Sequence, residues 1–320
     1  MNRQPVISII IPAHNEEATL EECLASLKQL NYLDENLEII VINDGSTDAT
    51  GDIISRYEQP LYLVRLQTTG VGPSQARNMA MRGAKGEYVA FTDADCVVDR
   101  EWLNELLRGF VEEEVAGVGG SQAVAPGWAP FEKKVHRFLA SMHFVSEYMK
   151  RGDKVRLVSD FASCNAIYRK KAFEEVNGFD EGLWPGEDVD INYRLTRRGY
   201  KLAYNPEAVV QHHRPTTAKD FYRMMKRYGW SQAYLVRKHG FFRRLHYVPL
   251  IELLALAAWI VAIVFNLYSA IGIAVAVIVG TLLAFVLRGG VKGGADNFGL
   301  FVITLLAWNL GFLSYMVGKR

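Results

Sequence analysis

Residues 88–95 read Tyr-Val-Ala-Phe-Thr-Asp-Ala-Asp, a mostly apolar run that ends in two carboxylates. The apolar part is typical of a buried strand, and Asp93 and Asp95 then fall where that strand meets solvent. Two carboxylates one residue apart at a strand end can point into the same small volume. Hard divalent cations such as Mg²⁺ and Mn²⁺ prefer several oxygen ligands from carboxylates and phosphates. The stretch therefore predicts a strand end that could hold a cation and a diphosphate.

Strand and helix patterns alternate through the first two-thirds of the chain. Further apolar runs that predict strands occur at residues 6–11, 37–42 and 61–66. Repeated β-α-β units imply a mostly parallel sheet flanked by helices, an α/β fold, and ligands of such sheets bind beyond the carboxyl ends of the strands. His14, Asp44 and Asp93 each follow a predicted strand, so we expect them to line one crevice.

The overall composition excludes several classes of function. The 320 residues suffice for two ordinary domains, and a formal net charge of +1 gives no sign of nucleic-acid binding, so we expect no nucleic-acid partner. Cys23, Cys96 and Cys164 are odd in number and far apart, which predicts neither a disulfide framework nor a zinc site. No Gly-x-Gly-x-x-Gly follows the first strand, which argues against a dinucleotide-binding dehydrogenase.

The chain changes character after about residue 218. Residues 219–244 carry eight Lys or Arg side chains against one acid and are interleaved with aromatic residues. Three nearly uncharged segments follow at 248–267, 269–287 and 298–318, each close to the ~20 residues that cross a bilayer. We therefore expect a membrane region with about three transmembrane helices at 248–320. Residues 219–247 are predicted to lie as an interfacial helical segment on an anionic membrane surface.

Charge flanking the apolar segments predicts their orientation. Arg237, Lys238, Arg243 and Arg244 belong on the cytoplasmic side by the positive-inside rule. This places domain 1–218 in the cytoplasm and makes the chain a multi-pass protein of the cytoplasmic (inner) membrane. The third apolar segment either crosses the bilayer or is re-entrant.

Over about residues 5–215 the chain resembles the family 2 glycosyltransferases, which have the GT-A nucleotide-diphospho-sugar transferase fold. The resemblance rests on six short motifs in the expected order. They are residues 11–17 (Ile-Pro-Ala-His-Asn-Glu-Glu), 43–48 (Asn-Asp-Gly-Ser-Thr-Asp), 76–78 (Ala-Arg-Asn), 92–95 (Thr-Asp-Ala-Asp), 177–181 (Asn-Gly-Phe-Asp-Glu) and 186–188 (Gly-Glu-Asp).

The resemblance implies a set of residues that bind the nucleotide-sugar donor. They are Pro12, His14, Glu16, Asp44, Arg77 and Asp93. Asp44 is expected to accept hydrogen bonds from the nucleobase, although a turn residue that caps the next helix would look the same in sequence. Arg77 is expected either to contact the phosphates or to pair with a neighbouring acid.

The resemblance also implies a metal site and a base. Asp95 and His212 would hold a divalent cation, Mg²⁺ or Mn²⁺, that bridges the diphosphate, although His212 could equally be structural. Asp188 would be the general base that deprotonates the acceptor hydroxyl, and Glu187 would shape the site or hold the acceptor. Both acids could instead sit at a helix N-terminus for electrostatic reasons alone.

These residues imply an inverting, metal-dependent glycosyltransferase of hexosyltransferase type that acts in cell-envelope polysaccharide or glycoconjugate synthesis. The acceptor would be a lipid-linked glycan, or alternatively a polyprenyl phosphate. Processive synthases of the family carry Gln-x-x-Arg-Trp, which residues 227–230 do not match, so transfer of a single sugar is favoured. A non-catalytic membrane scaffold is the remote alternative, because the acids at 93, 95 and 188 are all present.

Overall fold

The structure is a computed structural model that describes residues 4–61, 63–125, 127–141, 154–265 and 267–318. The chain divides into two compact units. The first comprises Met1–Trp128 with Val145–Arg214, and the second comprises Ala129–Phe144 with Pro215–Arg320.

The first unit combines strands and helices, which alternate regularly in its first 92 residues. The strands are β1 (Ile7–Ala13), β2 (Leu37–Asp44), β3 (Val64–Thr68), β4 (Tyr88–Thr92), β5 (Cys96–Val98), β6 (Val115–Ala123), β7 (Arg156–Val158), β8 (Asn165–Arg169) and β9 (Lys201–His212). The helices among the described residues of both units are α1 (Leu20–Leu27), α2 (Thr50–Leu61), α3 (Pro73–Gly83), α4 (Trp102–Arg108), α5 (Pro130–Ser141), α6 (Lys170–Glu175), α7 (Glu187–Arg197), α8 (Ala218–His239), α9 (Val248–Phe265) and α10 (Leu267–Met316). Short 3₁₀ turns lie at Asp34–Asn36 and Arg244–Tyr247.

The strands form one sheet with the order β3-β2-β1-β4-β8-β6-β9-β5, and β7 pairs with β9. Strands β1 to β4 pair in parallel, as the repeated β-α-β pattern predicts. Beyond β4 the sheet is mixed, because β8 runs antiparallel to both β4 and β6 while β6 and β9 are parallel. The strand predicted at 61–66 begins at Val64 instead, because α2 continues to Leu61.

Strand β1 is buried on both faces of the sheet, which explains its continuous apolar sequence. Ile9 packs into one core with side chains of α1 and α4, including Leu24 and Trp102. Ile10 points to the opposite face and packs with side chains of α3 and α6. The carboxyl ends of β1, β2 and β4 therefore lie at one edge of a sheet that is fixed from both sides.

The second unit is helical in its described residues. Two helices are long and apolar enough to cross a membrane by length and composition, Arg244–Phe265 and Asp296–Met316, and a shorter apolar helix covers Ile271–Ala284. Helix α8 carries the basic and aromatic residues, and the Thr217 hydroxyl caps it by accepting the Asp220 N–H at 3.1 Å. Glu252 in α9 accepts a 2.7 Å hydrogen bond from the Asn309 amide in α10.

Helical geometry continues through α10, including the stretch that separates the second and third predicted apolar segments. This helix is not straight. A Cβ placed on Gly294 would lie 2.5 Å from the Cα of Val286, whereas residues eight apart in a straight helix are separated by about 12 Å. The chain therefore bends sharply back between these residues, and glycine permits that approach because it has no Cβ.

Candidate active site

The acidic residues of the 92–95 motif lie directly after β4, as predicted, and His212 ends β9. Antiparallel pairing of β5 with β9 places Cys96 opposite His212, so the imidazole lies beside the carboxylate that precedes Cys96. The ligating atoms of Asp93, Asp95 and His212 all lie within 4.8 Å of one another. The His212 Nε2 is 3.4 Å from the Asp95 Oδ2.

The carboxylate of Asp95 and the imidazole of His212 shift each other's pKa. Burial alone would raise the pKa of Asp95, but His212, with smaller contributions from Arg214 and His213, outweighs burial and lowers it. Burial alone would lower the pKa of His212, but Cys164 and Asp95 outweigh it and raise it. The pair is thus poised as carboxylate and imidazolium, and a divalent cation could replace the imidazole proton.

Arg77 joins the carboxylate motif to the start of α7. Its guanidinium donates to Asp93 through one terminal nitrogen and to the Glu187 Oε1 through the other, at 3.0 Å in the second case. The residue is 1% exposed, and its Nε has no hydrogen-bond partner among the described residues. The sequence left open whether Arg77 contacts phosphates or pairs with a neighbouring acid, and in the structure it pairs with two acids.

Glu187 and Asp188 form the first turn of α7, as predicted. The Ser163 hydroxyl donates to the Glu187 Oε1 at 3.0 Å, and the Val189 N–H donates to the Asp188 Oδ1 at 2.7 Å. Burial, together with the charges of Glu187 and Asp160, raises the pKa of Asp188 well above its usual range. A carboxylate with a raised pKa takes up a proton more readily, as a general base requires.

Asp44 is 4% exposed and holds the loop that precedes α3. Its carboxylate accepts from the Thr68 hydroxyl and from the backbone N–H groups of Gly70, Val71 and Gly72, the last three at 3.0, 2.7 and 2.8 Å. Burial raises the pKa of Asp44, but these hydrogen bonds outweigh burial and lower it. Asp44 does not cap the next helix, α2, which was the alternative in the sequence. Asp48 does so instead, by accepting the Thr50 N–H at the start of α2.

The other predicted nucleotide-binding residues follow β1. Pro12 is buried within the strand, and His14 is exposed with its Nδ1 2.6 Å from the Asp44 carbonyl oxygen. Burial and the charge of Asp95 raise the pKa of Glu16 to about 7, with a smaller contribution from Asp93. Glu16 therefore lies in the electrostatic field of the predicted metal site.

Sequence reasoning missed two features of the site. Cys96 and Cys164 are not isolated, because their sulfur atoms and a ring nitrogen of His212 lie within 4.8 Å of one another. Ser163, which donates to Glu187, was also not predicted. The only signal in the sequence was that Cys96 directly follows Asp95, since the pairing that brings in residues 163 and 164 is non-local.

The sheet and its flanking helices form a fold of the GT-A type, which is the fold class predicted from sequence. The model of the family described as glycosyl transferase family 2 matches residues 8–176, and the chain belongs to this family. A second model, described as the N-terminal domain of galactosyltransferase, matches residues 143–227.

Similar proteins include the probable glycosyltransferase YdaM of Bacillus subtilis, 27% identical over 74% of this chain and 58% of that protein. The pre-mycofactocin glycosyltransferase of Mycobacterium tuberculosis is 31% identical over 73% of this chain and 48% of that protein. The chain thus spans about half the length of these two relatives. A third relative, from Methanococcus voltae, is a glucuronosyltransferase whose name gives a dolichyl N-acetyl-alpha-D-glucosaminyl phosphate as its substrate. It is 27% identical over 76% of this chain and 77% of that protein.

Solved structures support the fold. The mannosyltransferase PcManGT from Pyrobaculum calidifontis, in complex with GDP-Man and Mn²⁺, has a TM-score of 0.65 at 23% identity and covers 95% of this chain and 88% of that one. S. aureus TarS in complex with UDP has a TM-score of 0.51 at 21% identity, and the match covers 98% of this chain and 92% of the TarS chain. The expected divalent cation agrees with the Mn²⁺ held by the mannosyltransferase.

Proposed function

We propose that the chain is an inverting, metal-dependent glycosyltransferase that moves one sugar from a nucleoside-diphosphate sugar to a membrane-associated acceptor. The acceptor that we favour is a lipid-linked glycan in cell-envelope polysaccharide or glycoconjugate synthesis. Family membership supports the reaction class, and the acids after β4 and at the start of α7 support the mechanism.

Donor binding is assigned to the carboxyl ends of β1, β2 and β4. Pro12, His14, Glu16 and Asp44 would surround the nucleoside, with the Asp44-held loop forming one wall. Asp93 would hold the ribose or the sugar, and Arg77 would keep that carboxylate in place rather than bind phosphate itself. The complexes of similar folds with GDP-Man and UDP support a nucleotide sugar as the ligand.

The side chains that would hold the cation are Asp95 and His212, together with Asp93, whose carboxylate would then contact both the donor and the cation. Two carboxylates and an imidazole within 4.8 Å of one another offer oxygen and nitrogen ligands that suit Mn²⁺ or Mg²⁺. When bound, such a cation neutralises the charge that develops on a departing nucleoside diphosphate.

Proton removal is assigned to Asp188. Its raised pKa lets it accept the proton of an acceptor hydroxyl as that oxygen attacks the anomeric carbon. A single base opposite the leaving group gives inversion of configuration, the same logic as in inverting hydrolases with an alcohol in place of water. Glu187, held by Arg77 and Ser163, would orient this turn of α7.

Membrane association is proposed from the second unit. The two candidate spans, Arg244–Phe265 and Asp296–Met316, would anchor the chain in the cytoplasmic membrane, and Ile271–Ala284 would belong to the same membrane region. The basic and aromatic helix α8 would lie on anionic headgroups, with domain 1–218 in the cytoplasm. The lipid phosphate in the name of the M. voltae relative supports a lipid-linked acceptor.

The observation that carries the proposal is the buried Arg77, which ties a carboxylate after β4 to one at the start of α7. The test is binding and hydrolysis measured against a panel of nucleotide sugars, with Mn²⁺ and with a chelator. We expect one donor to bind in a cation-dependent manner. Folded protein that binds no member of the panel under either condition would contradict the proposal.

A further inference from the structure

A second group of metal-ligating side chains lies behind the carboxylate pair. The sulfur atoms of Cys96 and Cys164 and a ring nitrogen of His212 lie within 4.8 Å of one another. Cys96 is 0% exposed and Cys164 is 4% exposed, so both thiols belong to the protein interior. The His212 side chain keeps 18% of its surface exposed, which leaves a solvent-facing side to the group.

The imidazole of His212 has a different partner on each nitrogen. Its Nε2 is 3.4 Å from the Asp95 Oδ2, and its Nδ1 is 3.5 Å from the Cys164 Sγ. In a tetrahedral zinc site with bonds of about 2.3 Å to sulfur and about 2.1 Å to nitrogen, neighbouring ligand atoms lie about 3.6 Å apart. The separation between Cys164 and His212 already matches one edge of such a site.

A buried amide completes the surroundings. The Gln122 Nε2 donates to the Cys164 Sγ at 3.1 Å, and its Oε1 lies 3.4 Å from the His212 Nδ1. The same oxygen accepts from Arg214. Gln122 is 8% exposed, so an oxygen atom is held beside the thiol and imidazole, where it or a water could supply a fourth ligand.

We propose that Cys96, Cys164 and His212 form a binding site for a thiophilic divalent cation such as Zn²⁺ or Cd²⁺. Thiolate ligands select such cations over Mg²⁺ and Mn²⁺, which prefer oxygen. As each metal–sulfur bond forms, the thiol loses its proton to solvent, and no electron is transferred. This thiol site and the carboxylate site of Asp93 and Asp95 have His212 in common. A cation bound at the thiol site therefore weakens Mn²⁺ binding at the carboxylate site. Binding at the thiol site does not depend on sugar transfer.

The test uses the full chain in detergent with a phosphine reductant, titrated with Cd²⁺ alone. We expect one Cd²⁺ per chain, with an ultraviolet thiolate-to-metal absorption of the intensity given by two sulfur ligands. Cys96→Ser and Cys164→Ser each remove at least half of this absorption. Cys23→Ser is the matched control, because Cys23 is also 0% exposed but outside the group. Folded wild-type protein without the absorption, or an equal loss in Cys23→Ser, overturns the proposal.

A second measurement does not depend on how well the variants fold. Cadmium NMR of the wild-type chain should give a shift typical of two sulfur ligands and one nitrogen ligand. A shift typical of oxygen and nitrogen ligands alone would place Cd²⁺ at the carboxylates and overturn the proposal. Mn²⁺ affinity, followed by electron paramagnetic resonance, should fall about 10-fold or more with one equivalent of Zn²⁺, because Zn²⁺ at the thiol site engages the shared His212 and its charge repels a second divalent cation. An unchanged Mn²⁺ affinity would contradict the shared imidazole.

Discussion

At the scale of single residues, Arg77 explains how several carboxylates can share one small region. A buried charge is tolerated when it is paired and hydrogen-bonded, and here one guanidinium serves both Asp93 and Glu187. Without it, two acids would face each other in a poorly solvated site. Arg77 would therefore be a positioning residue for both groups of acids in the proposed active site.

Replacing Arg77 by methionine should destabilise the fold. The change leaves two carboxylates without their counter-charge, and loss of one partner from a buried ion pair costs roughly 3–5 kcal/mol. The measurement is the free energy of unfolding from urea titrations followed by circular dichroism. Arg82→Met is the control, because Arg82 lies on the exposed side of the same helix. Equal stability of the two variants would contradict the role assigned to Arg77.

Glu16 would make cation binding at the proposed metal site sensitive to pH. Its pKa of about 7, raised by burial and by the charge of Asp95, means that it is about half protonated at neutral pH. A cation held by Asp93 and Asp95 would offset their negative charge and lower the pKa of Glu16. The side chain would then release its proton as the cation binds.

The prediction is that the wild-type chain releases more protons on Mn²⁺ binding than Glu16→Gln, by about half a proton near pH 7. At about pH 9 Glu16 is already ionised in the free protein, so the difference should vanish. Calorimetry in buffers of different ionisation enthalpy measures the proton count. Protons released by His212 are common to both proteins and cancel. A difference that is absent at neutral pH would remove Glu16 from the metal site.

At the scale of elements, helix α3 organises the site. The N–H of Gly72, at its N-terminus, donates to Asp44 at 2.8 Å. Ser74 donates to the carbonyl oxygen of Leu183, and Arg77 follows one turn later. Three segments that are distant in sequence are thus attached to one helix. Contacts with this one helix therefore fix the positions of the three segments relative to one another.

Asn78 attaches α3 to the loop that leads into α7. Its side chain accepts the Phe179 N–H at 2.9 Å and donates to the Phe179 carbonyl oxygen at 2.8 Å. Asn78→Ala should lower stability by about 1–3 kcal/mol and slow transfer while nucleotide binding is retained. Asn104→Ala is the control, since Asn104 donates to the Asn31 carbonyl oxygen and to Glu101 instead. Equal activity of the two variants would argue against this attachment.

Elements buried on both faces of the sheet could be predicted from the sequence. Strands β1, β2 and β4 are continuous apolar runs, so their ends could be predicted closely. His14 and Asp93 directly follow β1 and β4 as predicted, whereas Asp44 is the last residue of β2 because that strand runs two residues further than expected. The start of α7 was recognisable from Gly186 and two acids. The antiparallel strand β8 and the meeting of Cys96 with Cys164 were not predictable, because they depend on pairing between residues far apart in sequence.

At the scale of the whole molecule, the second unit exposes apolar side chains that a protein surrounded by water seldom exposes. In the most apolar 18 residues of Arg244–Phe265 none of the described side chains is buried, and Val264 and Phe265 are 79% and 85% exposed. Large exposed apolar surfaces indicate contact with another apolar phase. The bilayer of the proposed function would supply that phase, because the helix has the length needed to cross one.

Helices α8 and α10 meet through glycines. A Cβ on Gly311 would lie 1.9 Å from the Lys226 carbonyl oxygen, whereas one on Gly299 meets no atom within 4 Å among the described residues. Gly299→Ala should therefore stabilise the protein by about 0.5–1 kcal/mol through helix propensity, while Gly311→Ala destabilises it. Thermal unfolding in detergent measures both. Changes of the same sign would contradict this packing.

The central claim is that a cation held by Asp95 and a base at Asp188 act on one donor. The most direct measurement is donor binding and sugar transfer, side by side, for Asp95→Asn, Asp188→Asn and the exposed control Asp52→Asn, using the donor found in the panel. We predict that Asp95→Asn loses cation-dependent donor binding, while Asp188→Asn binds donor normally but transfers about 10²- to 10⁴-fold more slowly. Asp52→Asn should match the wild type. Wild-type transfer by Asp188→Asn, or unchanged cation dependence in Asp95→Asn, would contradict the account.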